Sequence, residues 1–143
     1  MLVRDVMSQR VVSVAPEESA AVAARLLARY NVGALPVCTA DGRLKGMVTD
    51  RDIVLRCVAA EEDPERMRVS ELMTRRVISV GAQEPASAAT RLMAREQIRR
   101  LPVEENGKLV GMVSLGDFAT VPDFTAEAAD ALCEISENTR RLP

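Results

Sequence analysis

The pattern of hydrophobic and polar positions in this chain occurs twice. Val3–Val37 aligns with Val69–Val103 at an offset of 66 residues, with 16 identities in 35 positions. The match resumes at an offset of 65, where Gly42–Asp52 aligns with Gly107–Asp117, so one connecting turn is a residue shorter. A unit of this size is too small to bury its apolar face alone. The duplication therefore predicts two copies packed about a pseudo-twofold axis.

Each copy begins with a short strand and an amphipathic helix. β-branched runs predict strands over Val11–Val14 and Val77–Val80. Apolar residues then recur at helical spacing and predict helices over Ala20–Tyr30 and Ala86–Gln97, each with one apolar stripe that covers a sheet. Proline and carboxylates just before both helices are helix-start signals.

A hairpin and a second helix complete each copy. Asp41-Gly42 and Asn106-Gly107 lie between apolar runs and indicate hairpin turns. The flanking strands are predicted over Ala34–Cys38, Leu44–Thr49, Leu101–Glu104 and Leu109–Ser114. Helices are expected over Leu115–Thr120 and over Asp50–Ala60, the latter with Ile53, Val54, Cys57 and Val58 on one side. The pattern predicts an α+β fold of two β-α-β-β-α repeats.

A polar, proline-containing segment separates the repeats, and a third region follows them. We place repeat 1 at residues 1–62, repeat 2 at residues 63–120 and a C-terminal helical extension at residues 121–143. The extension has apolar residues at helical spacing, namely Phe124, Ala128, Ala131, Leu132 and Ile135. This face must cover either the same chain or a partner, and the sequence leaves both open.

Composition disfavours several classes of function. A net charge of −2 provides no global field that attracts nucleic acid or an anionic membrane. No apolar run approaches the length of a membrane span, and the N-terminus lacks a signal peptide's apolar core, so a cytoplasmic protein is expected. The chain has no histidine and three widely spaced cysteines without a C-x-x-C motif. We therefore expect neither an enzyme nor a metal site.

A hydroxyl and a carboxylate recur where the third strand of each repeat meets its second helix, as Thr49 with Asp52 and Ser114 with Asp117. A hydroxyl at a helix start can donate to a phosphate. An ionised aspartate can accept hydrogen bonds from both hydroxyls of a ribose. The same spacing also marks a plain helix cap, and the residues alone leave both interpretations open.

Three motifs, each present in both repeats, together resemble the CBS domain, named after cystathionine β-synthase. They are the opening segments Asp5–Ser8 and Glu71–Thr74, the L-P-V of the second strand, and the G-M-V-[TS]-x-x-D that closes the third. The duplicated unit is similar to a Bateman module of the small stand-alone bacterial type, and the resemblance covers about Leu2–Thr120. It implies a regulatory sensor that binds an adenine nucleotide or other adenosyl ligand in the cleft between the repeats.

The resemblance also implies two pockets, in each of which the aspartate of one repeat faces the opening segment and second strand of the other. Pocket A is expected to comprise Ser8, Val12, Val32, Gly33, Ala34, Pro36, Met112, Ser114 and Asp117. Pocket B is expected to comprise Met47, Thr49, Asp52, Thr74, Ile78, Ile98, Arg99, Arg100 and Pro102. No cofactor is required, and the expected regulatory ligands are AMP, ADP, ATP or S-adenosylmethionine.

The two pockets are expected to differ in phosphate preference. Gly33 and Ala34 leave room for a compact ligand such as AMP, whereas Arg99 and Arg100 either clamp a polyphosphate or fill pocket B. The alternative interpretation is that the two arginines are solvated side chains at the edge of a strand and bind no ligand.

The resemblance further implies a homodimer, and Leu26, Val54 and Ile135 are candidates for its interface. An unidentified protein target is a further expected partner. One alternative function is a structural or interaction protein with vestigial pockets. Another is a nucleic-acid-binding regulator that uses the helical arginines, which the acidic residues of the same helices and the scarcity of aromatic residues disfavour.

Overall fold

The computed structural model describes residues 1–140, with side chains through residue 137, so the last three residues of the predicted extension lie outside the described residues. The helices are α1 (Ala20–Tyr30), α2 (Asp50–Ile53), α3 (Val69–Leu72), α4 (Ala86–Glu96), α5 (Leu115–Ala119) and α6 (Thr125–Arg140). The strands are β1 (Ala34–Cys38), β2 (Leu44–Thr49), β3 (Val80–Gly81), β4 (Arg100–Glu105) and β5 (Lys108–Ser114). This mixture of helices and strands confirms the predicted α+β class.

The chain forms two compact units. The α1 unit consists of Val12–Val77 with Gly107–Leu109, and the α4 unit consists of Met1–Val11, Ile78–Asn106 and the chain from Val110 onwards. The opening segment of each repeat therefore belongs to the unit that contains the other repeat's long helix. The repeat limits at residues 62 and 120 stay a prediction about the duplicated sequence.

Equivalent backbone hydrogen bonds hold the two opening segments. In the α4 unit the amide of Val3 donates to the carbonyl of Glu84 over 2.9 Å, and in the α1 unit the amide of Val69 donates to the carbonyl of Glu18 over 2.8 Å. Val3 and Val69 are both fully buried. Each opening segment thus covers the start of the long helix in its unit.

The hairpins predicted from the sequence are present. β1 and β2 pair antiparallel, with Ala34 opposite Thr49 and Pro36 opposite Met47. β4 lies between β3 and β5, and β3 runs parallel to β4. The turn glycines Gly42 and Gly107 have φ values of 88° and 79°, a backbone conformation that glycine adopts without a steric penalty.

The first strand of each repeat is much shorter than predicted. Of Val11–Val14, only Val14 pairs, through a parallel bridge to Val37, and β3 has only two residues. Val14 donates its amide to the carbonyl of Pro36 and accepts from the amide of Cys38. The next donor in this ladder is the nitrogen of Pro36, which carries no hydrogen, so pairing stops there. Pro102 occupies the same position in β4.

The helix predicted over Asp50–Ala60 changes geometry after one turn. α2 continues as a π-helical turn over Val54–Val58, in which the amide of Ala59 donates to the carbonyl of Val54. Ile53 and Cys57 enter the core of the α1 unit, whereas Val54 and Val58 are 54% and 64% exposed. The prediction that all four side chains share one side was therefore wrong. Ile53 and Cys57, which are four residues apart, lie in the core, whereas the residue directly after each of them is exposed.

The C-terminal helix covers its own chain. α6 packs against α4 and α5, and Ala128, Ala131 and Ile135 are buried in the core of the α4 unit. Phe118 of α5 is fully buried and meets Phe124 edge to face, with ring centroids 5.8 Å apart. This result decides the alternative that the sequence left open, and it removes Ile135 from the candidate dimer interface.

None of the helices in the described part of the chain is long and apolar enough to cross a membrane.

Candidate functional site

The hydroxyl and carboxylate of each repeat form a reciprocal capping box. Thr49 Oγ1 accepts from the amide of Asp52 over 3.0 Å, and Asp52 Oδ2 accepts from the amide of Thr49 over 2.9 Å. Ser114 and Asp117 make the same pair of bonds at 3.2 and 2.8 Å. The helix-cap interpretation of this pattern is therefore confirmed at both positions.

The capping bonds leave part of each aspartate unused. Only Oδ2 is engaged, and Oδ1 of Asp52 and of Asp117 has no hydrogen-bond partner within the described part of the chain. Neither carboxylate forms an ion pair with a described residue, and both side chains are half-buried. Each box thus holds a carboxylate in a fixed orientation with one acceptor oxygen free. An oxygen of this kind can accept two hydrogen bonds.

In the α4 unit the opening segment lies directly beside the third strand. Ser8 and Met112 exchange two backbone hydrogen bonds, of 2.8 and 3.0 Å. This close approach requires a glycine, because a Cβ on Gly111 would lie 2.6 Å from Met7 Sδ and 2.9 Å from the Ser8 carbonyl oxygen. The glycine of the G-M-V motif therefore places Ser8 on the strand that leads to Ser114 and Asp117.

The α1 unit repeats this arrangement. Thr74 and Met47 exchange backbone hydrogen bonds of 3.0 and 2.8 Å, and a Cβ on Gly46 would lie 2.7 Å from the Thr74 carbonyl oxygen. Directly before the paired strand β1, the carbonyl of Gly33 accepts from the amide of Asp50 over 3.0 Å. Gly46 and Gly111, the equivalent glycines of the two repeats, thus have the same structural role.

Each unit collects residues from both predicted pockets. The α1 unit contains Val12, Val32, Gly33, Ala34 and Pro36 from pocket A, and Met47, Thr49, Asp52 and Thr74 from pocket B. The α4 unit contains Ser8, Met112, Ser114 and Asp117 from pocket A, and Ile78, Ile98, Arg99, Arg100 and Pro102 from pocket B. As ligand-binding residues they all stay predictions.

The α4 unit contains a groove of about 490 Å³ that the sequence did not indicate. Its lining combines Arg99, Arg100, Ser114, Leu115, Gly116 and Ala119 with the α6 residues Thr125, Ala128, Ala129 and Leu132. Sequence reasoning missed the α6 residues because alanines on an amphipathic helix carry no chemical signal. The sequence had also placed Arg99 and Ser114 in different pockets.

Cys57 is placed as a core residue of the α1 unit. Cys57 is fully buried, and burial raises the pKa of its thiol, with smaller contributions in the same direction from Glu62 and Asp63. A buried thiol that keeps its proton is a poor nucleophile. Within the described residues, no three His, Cys, Asp or Glu side chains are grouped so that they could hold a metal ion.

Comparison with known families identifies the class of protein. Residues 3–58 and 69–123 each match the CBS domain. The chain therefore belongs to the CBS-domain family and is a tandem CBS pair, as the repeated motifs predicted. CBS pairs are regulatory modules, and small stand-alone CBS proteins are typically not catalytic.

Individual relatives agree with this assignment. The chain is 42% identical over 134 residues to the CBS domain-containing protein YhcV of Bacillus subtilis strain 168. The alignment covers 94% of each of the two chains. Among solved structures, it is similar to Hypoxic Response Protein I with two coordinated zinc ions, with a TM-score of 0.78, 36% identity, and coverage of 85% of this chain and 98% of that one.

A second solved structure concerns ligands. The chain is similar to the CBS domain pair of protein MJ0100 in complex with 5-methylthioadenosine and S-adenosyl-L-methionine, with a TM-score of 0.71, 28% identity, and coverage of 83% and 93%.

Proposed function

We propose that this protein is a regulatory sensor that binds an adenine nucleotide or related adenosyl ligand through the capping-box aspartates. The observation that carries this proposal is the free Oδ1 of Asp52 and of Asp117, held at the junction of strand and helix by the capping bonds. The adenosyl ligands of a similar CBS pair support the choice of ligand class.

The aspartate suits the sugar of such a ligand. A ribose presents two neighbouring hydroxyl donors, and an ionised carboxylate oxygen with two lone pairs can accept both. Because Oδ2 is held by a backbone amide, the carboxylate pays little further ordering cost when the ligand binds. In this proposal Asp117 and Asp52 hold the ribose of a ligand at pocket A and pocket B, respectively.

The hydroxyl and the strand residues complete the proposed contacts. Ser114 Oγ accepts from the amide of Asp117, which leaves its own hydrogen available to a phosphate oxygen. Met112 and Met47 each precede the hydroxyl residue of a capping box by two positions along their strands, and they supply polarizable side chains that suit an aromatic base. The other pocket residues named from the sequence stay proposed ligand-binding residues.

The protein is further proposed to act as a homodimer. Val54, Leu55 and Val58 on the π-helical turn are exposed by 54%, 50% and 64%. Exposed apolar side chains that cluster on one turn favour an interface with another chain. A ligand regulates such an assembly only if it binds two arrangements with different affinity.

The decisive test is the variant Asp117→Asn, measured by titration calorimetry with AMP. The asparagine oxygen can still accept from the amide of Ser114, so the cap is kept, whereas its NH₂ group replaces the free acceptor with a donor. We expect binding to weaken by about 1.5–3 kcal/mol, the scale of a hydrogen bond to a charged group. Asp52→Asn tests the α1 unit in the same way.

Asp123→Asn is the matched control, because Asp123 is exposed and lies outside both capping boxes. It should bind AMP as the unmodified protein does. Unchanged AMP affinity in both Asp117→Asn and Asp52→Asn would reject the proposed role of the aspartates. If the unmodified protein binds none of AMP, ADP, ATP and S-adenosylmethionine, the interaction-protein alternative replaces the sensor.

A further inference from the structure

Part of the groove in the α4 unit comes from outside the CBS domains. Arg99, Arg100 and Ser114 line the groove and already belong to the proposed ligand-binding residues. The same groove is lined by residues of α6, among them Ala129 and Leu132. The match of the second CBS domain ends at residue 123, before α6 begins. The groove therefore joins ligand-binding residues of the repeat to a helix that the repeat does not contain.

The groove lies beside the proposed ribose contact. The amide of Ser114, a lining residue, donates to Asp117 Oδ2 over 2.8 Å, and Gly116, directly before Asp117, also lines the groove. The carboxylate that holds the ribose is therefore flanked by residues of the groove. Among the described lining residues, Arg99 and Arg100 carry the charge. Guanidinium groups pair with phosphate oxygens, so the 5′ phosphates of a ligand at Asp117 are attracted into the groove.

The α6 residues of the groove leave space for a ligand group. Ala129 is exposed, and Leu132 is 43% exposed, although Ala128 and Ala131 of the same helix are buried in the core. The volume of about 490 Å³ lies within the range of roughly 300–1,000 Å³ that is usual for ligand sites. The methyl group of Ala129 occupies little of this space, and a large side chain at the same position would fill much of it.

The equivalent surface of the α1 unit is open. By the alignment of the repeats, Val54 stands at the position of Ala119 and is 54% exposed, whereas Ala119 lines the groove together with α6. Within the described residues, the contribution of α6 is therefore specific to the Asp117 site. The Asp52 site serves as an internal reference.

We propose that α6 forms the outer wall of the site in which Asp117 holds an adenosyl ligand, and that Ala129 and Leu132 determine how large a 5′ substituent this site accepts. The inference rests on the proposed function and extends it to a helix outside the CBS domains. An apolar wall keeps water from the arginines, which strengthens their pairing with phosphate. Thr125, the first residue of α6, also lines the groove, and the positive end of the helix dipole adds to this preference.

Ligand binding at this site also acts on α6. The helix is held by small buried side chains such as Ala128 and by a hydrogen bond of 3.1 Å from Thr90 Oγ1 to Glu127 Oε2. A ligand that contacts both α5 and α6 stabilises the packed position of α6 by mass action. The C-terminal helix thus reports whether the Asp117 site is occupied by a ligand long enough to reach it.

Titration calorimetry of the full chain with adenosine, AMP and ATP tests the wall. The Asp52→Asn background is used, so that the Asp117 site is measured alone. We expect Ala129→Trp to weaken ATP binding by about tenfold or more and AMP binding by less than about threefold, because the indole obstructs the longer substituent. Adenosine, which has no phosphate, should bind as before.

Ala126→Trp is the matched control. Ala126 is exposed on the same helix and is not among the groove-lining residues, so this variant should bind all three ligands normally. Circular dichroism checks that both tryptophan variants are folded.

Hydrogen exchange measures the coupling to α6 without a substitution in the groove. In the same background, ATP should slow amide exchange in peptides spanning residues 125–135, and peptides from α1 should not change. Adding Asp117→Asn should remove the protection of α6, because the ligand is then no longer held.

Full ATP affinity in folded Ala129→Trp would overturn the proposal, as would equal weakening of all three ligands. ATP binding that protects β5 and α5 but leaves α6 unchanged would overturn it as well. In these cases the proposed function stands if Asp117→Asn still weakens AMP. Failure of ATP alone to bind the unmodified protein would reject the wall, whereas failure of adenosine, AMP, ADP, ATP and S-adenosylmethionine together would reject the proposed function.

Discussion

The two units complete the same fold in different ways after their third strand. In the α1 unit, α2 continues as a π-helical turn that buries Cys57 and exposes Val54 and Val58. In the α4 unit, the equivalent helix α5 stops at Ala119, and α6 returns to cover it. The duplicated strands and capping boxes are nearly the same in both units, so the difference arises after the capping boxes.

This difference shows which part of the repeat is fixed and which part is free to vary. The capping box and the buried residue directly after its aspartate are common to both units, as Ile53 in one and Phe118 in the other. Beyond them, the α1 unit keeps an exposed apolar face, whereas the α4 unit uses a helix from outside the repeat. We accordingly propose the exposed apolar face of the α1 unit, and not the covered helix of the α4 unit, as the surface that contacts a partner.

The largest expected effect concerns the residue that α6 covers. Phe118→Ala should lower the free energy of unfolding by about 3–5 kcal/mol, because it removes a fully buried ring and leaves a cavity beside Phe124. Urea denaturation measures the loss, and hydrogen exchange should locate it first in peptides from β4 and β5. Val54→Ala is the exposed control. A loss no larger than that of the control would contradict the assigned core of the α4 unit.

The next effect tests the close approach that both units share. Gly111→Ala and Gly46→Ala should each destabilise by about 1–3 kcal/mol through overpacking. Gly46→Ala should be the more severe, because its nearest neighbour is the rigid Thr74 carbonyl oxygen, whereas the Cβ at Gly111 first meets the flexible Met7 side chain. Gly116→Ala is the control, since its Cβ meets nothing closer than 3.7 Å. Equal stability of all three variants would refute the close contact.

A smaller effect distinguishes the units by pH. Because burial raises the pKa of Cys57 above its unfolded value, the unfolded chain releases this proton at a lower pH than the folded chain. The stability is complete below the unfolded thiol's pKa of about 8.5 and falls above it by up to about 1.4 kcal/mol per pH unit. At the same offset of 65 residues, just after repeat 2, the chain has Pro122, which cannot titrate.

Urea midpoints at neutral and alkaline pH measure this slope. Cys57→Ala should flatten it, whereas Cys133→Ala, which removes an exposed thiol from α6, should leave it unchanged. An identical slope in the Cys57→Ala variant would show that this thiol does not link stability to pH.

The smallest effect on stability is expected at the exposed face of the α1 unit. Val54→Lys with Val58→Lys should change the free energy of unfolding of the protomer by no more than about 0.5 kcal/mol, as for most surface substitutions. It should nevertheless convert the proposed dimer to a monomer in light scattering. Arg10→Lys is the surface control and should keep the unmodified mass. A dimeric mass in the double variant would exclude this face as the interface.

Much of the fold follows from local sequence chemistry. The hairpins form at Asp-Gly and Asn-Gly because their turns require positive φ at glycine. α1 matches its predicted limits, Ala20–Tyr30, because its apolar period is unambiguous. Thr49 and Ser114 could be identified as capping residues because a cap depends only on residues within one turn. The strand predicted over Val11–Val14 was wrong, because its pairing stops where Pro36 of the neighbouring strand has no amide hydrogen to donate. That residue is distant in the sequence from the predicted strand.

Long-range contacts decided the remaining features. The opening segments have matching sequences, and their amides meet matching carbonyls on Glu18 and Glu84, so either segment could satisfy either long helix by local criteria. Only the folded chain assigns Val3 to the α4 unit and Val69 to the α1 unit. The apolar face of α6 likewise fits any apolar surface, because hydrophobic burial is non-directional, and packing against α4 and α5 selects its partner.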